Sequence, residues 1–168
     1  TGEVGSNTTI NVVGANSGTV SLVKGVEQTI TVNGIDYTVS TQNDRAELVY
    51  KLDTSGLITF SRTSGSIIVK GDINKKHNVT IKEGITFYGG NKGDNIESLD
   101  ATIYCGSGNN TLILKHGDRV YCGSGNNTIK ADSYCWIYGG SGVNNITLNG
   151  TLNNVEAGSG TTNVTIKG

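Results

Sequence analysis

The side chains able to do chemistry in this chain are few. It offers 3 cysteines, 2 histidines and 14 carboxylates in 168 residues. Asp94, Glu97, Asp100 and Asp118 lie close together in sequence, and paired carboxylates can act as acid and base in glycosidic-bond cleavage. That chemistry needs a cleft, and the connections around these residues are too short to build one. His77 and His116 sit in Lys-rich connections and read as solvated loop residues. Neither joins a Ser-His-Asp or Cys-His grouping. No Cys-x-x-Cys spacing suggests zinc, and three cysteines cannot form a closed disulfide framework. These residues predict no enzyme.

What must position them is a repeat. Tyr104-Cys105-Gly106-Ser107-Gly108-Asn109-Asn110-Thr111-Leu112 recurs as Tyr121-Cys122-Gly123-Ser124-Gly125-Asn126-Asn127-Thr128-Ile129. It recurs again from Tyr138-Gly139-Gly140 to Asn144-Asn145-Ile146, with looser copies at Tyr88–Ile96 and Glu156–Val164. Ile96, Leu112, Ile129, Ile146 and Val164 are spaced 16, 17, 17 and 18 residues apart, and so are Phe87, Ile103, Val120, Ile137 and Val155. Two apolar columns that drift in length together describe coils of slightly variable size.

Each period holds two short strands. Alternate residues of a strand face opposite ways, so Ile103 and Cys105 face inward with Leu112 and Leu114, while Tyr104 and Ile113 face out. Ala131, Leu148 and Ile166 continue the Leu114 position. Gly-Ser-Gly-Asn-Asn forms one turn, ascribed to the tolerance of Gly and Asn for positive φ, and Lys115-His116-Gly117-Asp118 forms the other. A single coil cannot bury its apolar row, whereas stacked coils bury it against each other at about 4.8 Å per rung. The fold class is therefore all-β, a parallel β-solenoid of 16–18 residues per turn. Asn78–Ile81 and Ser66–Val69 extend the pattern backwards and place its start near residue 64.

Residues 1–63 read as antiparallel β structure. Asn33-Gly34 between Gln28–Val32 and Ile35–Val39 is a strong hairpin signal. Asp53–Gly56 joins Glu47–Leu52 to Leu57–Phe60, and Thr9–Val12 and Thr19–Leu22 are further candidate strands. This region is expected to cap the solenoid, whose open end would otherwise expose strand edges.

In equivalent positions of neighbouring coils, Cys105 and Cys122 come within disulfide range, although two small buried thiols would serve as well. Tyr88, Tyr104, Tyr121 and Tyr138 form an outward ladder, the expected recognition surface for a glycan or a surface protein. Asn-x-Thr sequons at Asn109, Asn126, Asn145 and Asn163 follow from the repeat itself.

Gly139-Gly140-Ser141-Gly142-Val143-Asn144-Asn145-Ile146-Thr147 resembles the hemolysin-type (RTX) nonapeptide, with Asn144 in place of its Asp. Asn110 and Asn127 make the same exchange in copies where Cys105 and Cys122 replace the first Gly, and only Asp94 keeps the acid. The resemblance implies a β-roll-like module of a secreted or surface protein, and Ca²⁺ held near Asp94, Asn110, Asn127 and Asn144. Against the metal, Asn brings no charge, residues 100–168 hold four acids and four bases, and only one turn per coil carries the motif. The preferred expectation is no cofactor, with an asparagine ladder replacing the ion. The repeat is also similar to ice-binding β-rolls, which need flat outward arrays. Here the columns read Thr111, Thr128, Asn145, Asn163 and Ile113, Lys130, Thr147, Thr165, interrupted by Ile and Lys.

Composition bounds the rest. A net charge of −1 with no basic stripe argues against nucleic acid. No apolar stretch approaches the roughly 20 residues of a membrane span. The start carries no signal-peptide pattern, and the absence of Met suggests a processed segment of a larger chain. Function is expected to be structural or adhesive, at an extracellular or cell-surface location, with calcium binding and ice binding as the alternatives.

Overall fold

The computed structural model describes residues 17–22, 26–41, 46–52, 58–62 and 65–167, and no helix occurs among them. The candidate strand at 9–12 lies outside the described residues. The chain opens with β1 (Ser17–Leu22), β2 (Gln28–Val32), β3 (Ile35–Thr41) and β4 (Ala46–Leu52). The regular winding follows as β5 (Ile58–Arg62), β6 (Ile67–Gly71), β7 (Asn78–Ile81), β8 (Ile85–Tyr88), β9 (Asn95–Ser98), β10 (Thr102–Tyr104), β11 (Thr111–His116), β12 (Arg119–Tyr121), β13 (Asn127–Ser133), β14 (Trp136–Tyr138), β15 (Val143–Leu148), β16 (Asn154–Glu156) and β17 (Thr161–Ile166).

From β5 onward the odd strands stack in one sheet and the even strands in the other, each parallel to the strand one coil away. The result is a β-solenoid of about six turns. Its register is the predicted one. Leu112 lies beside Ile96 and Ile129, and Ile129 beside Ile146. Ile103 lies beside Phe87 and Val120. These side chains face inward and are buried, so a single row from each strand, stacked on its like, makes the core. Ile166 keeps its place below Leu148 but is 73% exposed on the last strand.

The antiparallel region continues both sheets. β4 and β1 extend the odd-numbered sheet beyond β5, and β3 and β2 extend the even-numbered sheet beyond β6. The β2–β3 turn places Asn33 at φ 53° and Gly34 at φ 74°, the left-handed pair of a tight hairpin. The expected boundary at 63/64 needs correction. β5 already pairs in parallel with β7, so the first coil starts at Ile58, and a split at 63 would divide it.

The two corners of each coil obey different constraints. At the Gly-Ser-Gly-Asn-Asn corner, only Gly93 among the described residues has positive φ. The glycines are needed there for proximity. A Cβ on Gly106, Gly123 or Gly140 would run into the backbone of Gly90, Gly106 or Gly123 in the coil before it. Positive φ belongs to the opposite corner, where Gly65, Gly84, Asp100, Gly117, Tyr134 and Leu152 take φ of 77°, 75°, 51°, 66°, 62° and 59°.

Leu152 holds this left-handed conformation with 67% of its surface exposed, so its side chain returns little for the steric cost. Replacing Leu152 with Gly is expected to stabilise the protein by about 1 kcal/mol, read as a higher urea midpoint at unchanged m. A lower midpoint would contradict this account of the corner.

Candidate functional site

The residues matching the calcium-ligand positions form one inward column. Asp94, Asn110, Asn127 and Asn144 are each no more than 2% exposed. The Asp94 N–H donates to Asn110 Oδ1 at 2.8 Å. Asn127 Oδ1 accepts from the Asn110 N–H at 3.2 Å and from Asn110 Nδ2 at 2.9 Å. Asn127 Nδ2 donates to Asn144 Oδ1 at 2.9 Å, and Asn110 and Asn127 also donate to Gly108 O and Gly125 O of their own turns. Asp94 closes the column, its Oδ1 accepting the His77 N–H at 2.8 Å and its Oδ2 the Gly90 N–H at 3.2 Å. A second, outer series joins Asn109 to Asn126 and Asn126 to Val143 through backbone N–H donors.

Calcium asks for six to eight oxygens, with charge among them. Here one carboxylate is present, and the side-chain oxygens of the column already accept hydrogen bonds from the protein. The residues present do not fit that ion. The ladder stops where the sequence changes. Thr162 takes the next position beside Asn144, and Asn144 Nδ2 and Thr162 Oγ1 are buried with no partner.

The four carboxylates do not combine. Asp118 is buried at the left-handed corner, where it accepts from Ser98 Oγ, from Ala101 N at 3.0 Å and from Lys115 N at 3.1 Å. Burial pushes its carboxyl above the ordinary range despite those donors. Glu97 faces Lys115 at 3.9 Å and Asp100 faces His116 at 3.3 Å, both on the surface.

His77 corrects a sequence expectation. It is fully buried. Its Nε2 lies 2.9 Å from Asp72 O, which can only accept, so Nε2 donates there, and Nδ1 shares a hydrogen bond with the Tyr37 hydroxyl at 3.3 Å. Its ring packs against Tyr37 and Phe87 at 5.3 and 5.9 Å, and a Cβ on Gly71 would strike it. His77 thus ties the antiparallel region to the first coils. The signal was faint because Tyr37, its partner, lies 40 residues away. His116 is the exposed histidine that was expected.

Cys105, Cys122 and Cys135 are free. Cys105 and Cys122 adjoin and share a hydrogen bond that holds the Cys105 thiol up and draws Cys122 down, with burial raising Cys105 further. Cys135 is fully buried, and burial pushes its thiol up to about 11.

On the outer face of the even-numbered sheet, Tyr88, Tyr104, Tyr121 and Tyr138 stack with ring centroids 4.7, 4.7 and 4.8 Å apart and planes within 5°, 9° and 3°. Lys70 Nζ covers the Tyr88 end at 5.7 Å, and Glu156 stands beside Tyr138 at the other. Desolvation in the stack and the neighbouring phenols raise Tyr104. Desolvation, Glu156 and Tyr121 raise Tyr138, and Arg119 opposes them. Stacking has a functional consequence: ring faces are spent on one another, and a ligand meets edges and hydroxyls. The polar columns of the other sheet lie in register as expected, Thr111 beside Thr128 and Asn145 beside Asn163, with Ile113 and Lys130 exposed in the column next to them.

No family model, curated protein or solved structure matches the chain. Function must therefore be argued from this geometry. Among the described residues, no group of three or more His, Cys, Asp or Glu is placed to hold a metal, and no helix is long and apolar enough to cross a membrane.

Removing the Asn127 amide would strand Asn110 and Asn144 together. Asn127→Ala is expected to cost about 3 kcal/mol, and Thr162→Asn, which offers Asn144 Nδ2 an acceptor, to gain about 1 kcal/mol. Urea unfolding of both variants checks the pair, and opposite signs are required.

Proposed function

We propose that this chain is a non-catalytic structural and adhesive β-solenoid module of a larger secreted or cell-surface protein, holding its outer faces rigid without calcium. The observation that carries the reading is the buried Asp94–Asn110–Asn127–Asn144 column, which joins coil to coil by hydrogen bonds where an RTX-like roll would use an ion. A rod braced this way keeps its shape whatever the surrounding calcium, which suits a spacer or display element outside the cell. The buried and surface carboxylates are engaged separately, and this favours a binding role over catalysis. The outer face of the even-numbered sheet carries its tyrosine rings at a regular spacing of 4.7 to 4.8 Å. Such a face suits contact with an extended partner, a glycan or a surface protein.

Thermal unfolding followed by circular dichroism tests the reading against a calcium-dependent module. The melting temperature is expected to be the same in EDTA and in millimolar Ca²⁺. A rise of several degrees with calcium would show preferential binding to the folded state and overturn it.

A further inference from the structure

Beside the tyrosine stack runs a second outward column, Thr86, Thr102, Arg119, Trp136 and Asn154, in register across β8, β10, β12, β14 and β16. Trp136 departs from the neighbouring stack. It is 39% exposed, its ring lies 6.2 Å from Tyr138 and is tilted by 52°. Arg119 covers one face, with Cζ 5.3 Å from the ring centroid. The neighbour on the other side is Asn154, an exposed residue with a short side chain. The indole thus has one face held by a guanidinium and the opposite face open, whereas each inner tyrosine has both faces stacked.

The polar groups around that open face have a definite character. Asn154 brings an amide, with one donor group and one acceptor. Glu156, exposed and beside Tyr138, brings a carboxylate, and Tyr138 a hydroxyl. The influence of both Glu156 and Arg119 on Tyr138 places all three in one electrostatic neighbourhood. Arg119 and Glu156 balance in charge, so an anionic ligand would meet the carboxylate and a cationic one the guanidinium. An uncharged partner with an apolar face and a rim of hydroxyls meets no such penalty. An aromatic ring with a few placed polar groups suits that partner. A pyranose with equatorial hydroxyls has this build, its axial C–H bonds forming the apolar face.

We propose that Trp136, Asn154, Glu156 and Arg119 form a shallow subsite for a neutral, equatorial hexose unit of a linear polysaccharide. The pyranose stacks on the open indole face, the Asn154 amide and Glu156 carboxylate bond its hydroxyls, and Arg119 fixes the indole from behind. The inference rests on the display reading above and moves recognition from the tyrosine column to the tryptophan beside it.

The chain contains one Trp, so its fluorescence reports this position directly in the unmodified protein. Titration with cellohexaose or fully N-acetylated chitohexaose is expected to give a saturable change in emission and protection from iodide quenching, with a midpoint on the order of 1 mM. Asn154→Ala is expected to raise the midpoint about fivefold, the loss of one or two hydrogen bonds. Tyr104→Ala should leave it unchanged. Emission unaltered by either sugar up to about 10 mM, a response to polygalacturonate alone, or an Asn154→Ala midpoint equal to wild type would each overturn the subsite. Failure here leaves the melting temperature in EDTA as it was, so this proposal and the rod reading fall separately.

Discussion

Successive coils approach so closely at the glycine corner that no Cβ fits between them. That contact governs the rest of the architecture. With Gly106, Gly123 and Gly140 each lying on the backbone of the coil before, one coil cannot slide over the next without a clash. Register is therefore set by sterics at the corner as well as by the apolar rows. Once it is set, like residues meet like. Leucine and isoleucine rows bury each other, amides find amides at hydrogen-bond distance, and tyrosine rings stack at the rung spacing. The inner amide column then satisfies polar groups that a thin core would otherwise bury unpaired.

Much of this was legible in the sequence because the repeat prints the register directly. Leu112 and Ile129 could be matched by counting, as could Val79 with Ile96, and Asn33-Gly34 named its own hairpin. The physical reason for the glycines is not legible there, since one sequence cannot distinguish a residue chosen for positive φ from one chosen for having no side chain. The left-handed corner was hidden because Asp100, Tyr134 and Leu152 share it with glycines and do not look alike. His77 is hidden in the sequence because its burial depends on Tyr37 from the antiparallel region and on Phe87 in the second strand after it. The solenoid boundary carries no clear mark in the sequence because β5 pairs antiparallel with β4 on one side and parallel with β7 on the other. A strand that belongs to both regimes has no single sequence signature.

The same in-register stacking separates the two aromatic columns functionally. Where tyrosine follows tyrosine, stacking consumes the ring faces and leaves a rigid seam of edges and hydroxyls. Where the column reads Arg119, Trp136 and Asn154, unlike neighbours replace the stack and the indole stays 39% exposed. A regular solenoid thus gains a distinctive surface where its outward columns stop repeating. The interior can keep its ladder of like residues while the exterior varies.

Register can be measured without variants. A long-range HNCO experiment detects scalar coupling across individual backbone hydrogen bonds. The Cys105 N–H donates to Tyr121 O, the Cys122 N–H to Tyr138 O and the Thr128 N–H to Asn110 O, each at 2.9 Å. Cross-peaks between those nitrogens and those carbonyl carbons are the predicted result. Cross-peaks displaced by one or two residues, or pairing of these strands within one coil instead of between coils, would contradict the stacked-coil account at its root.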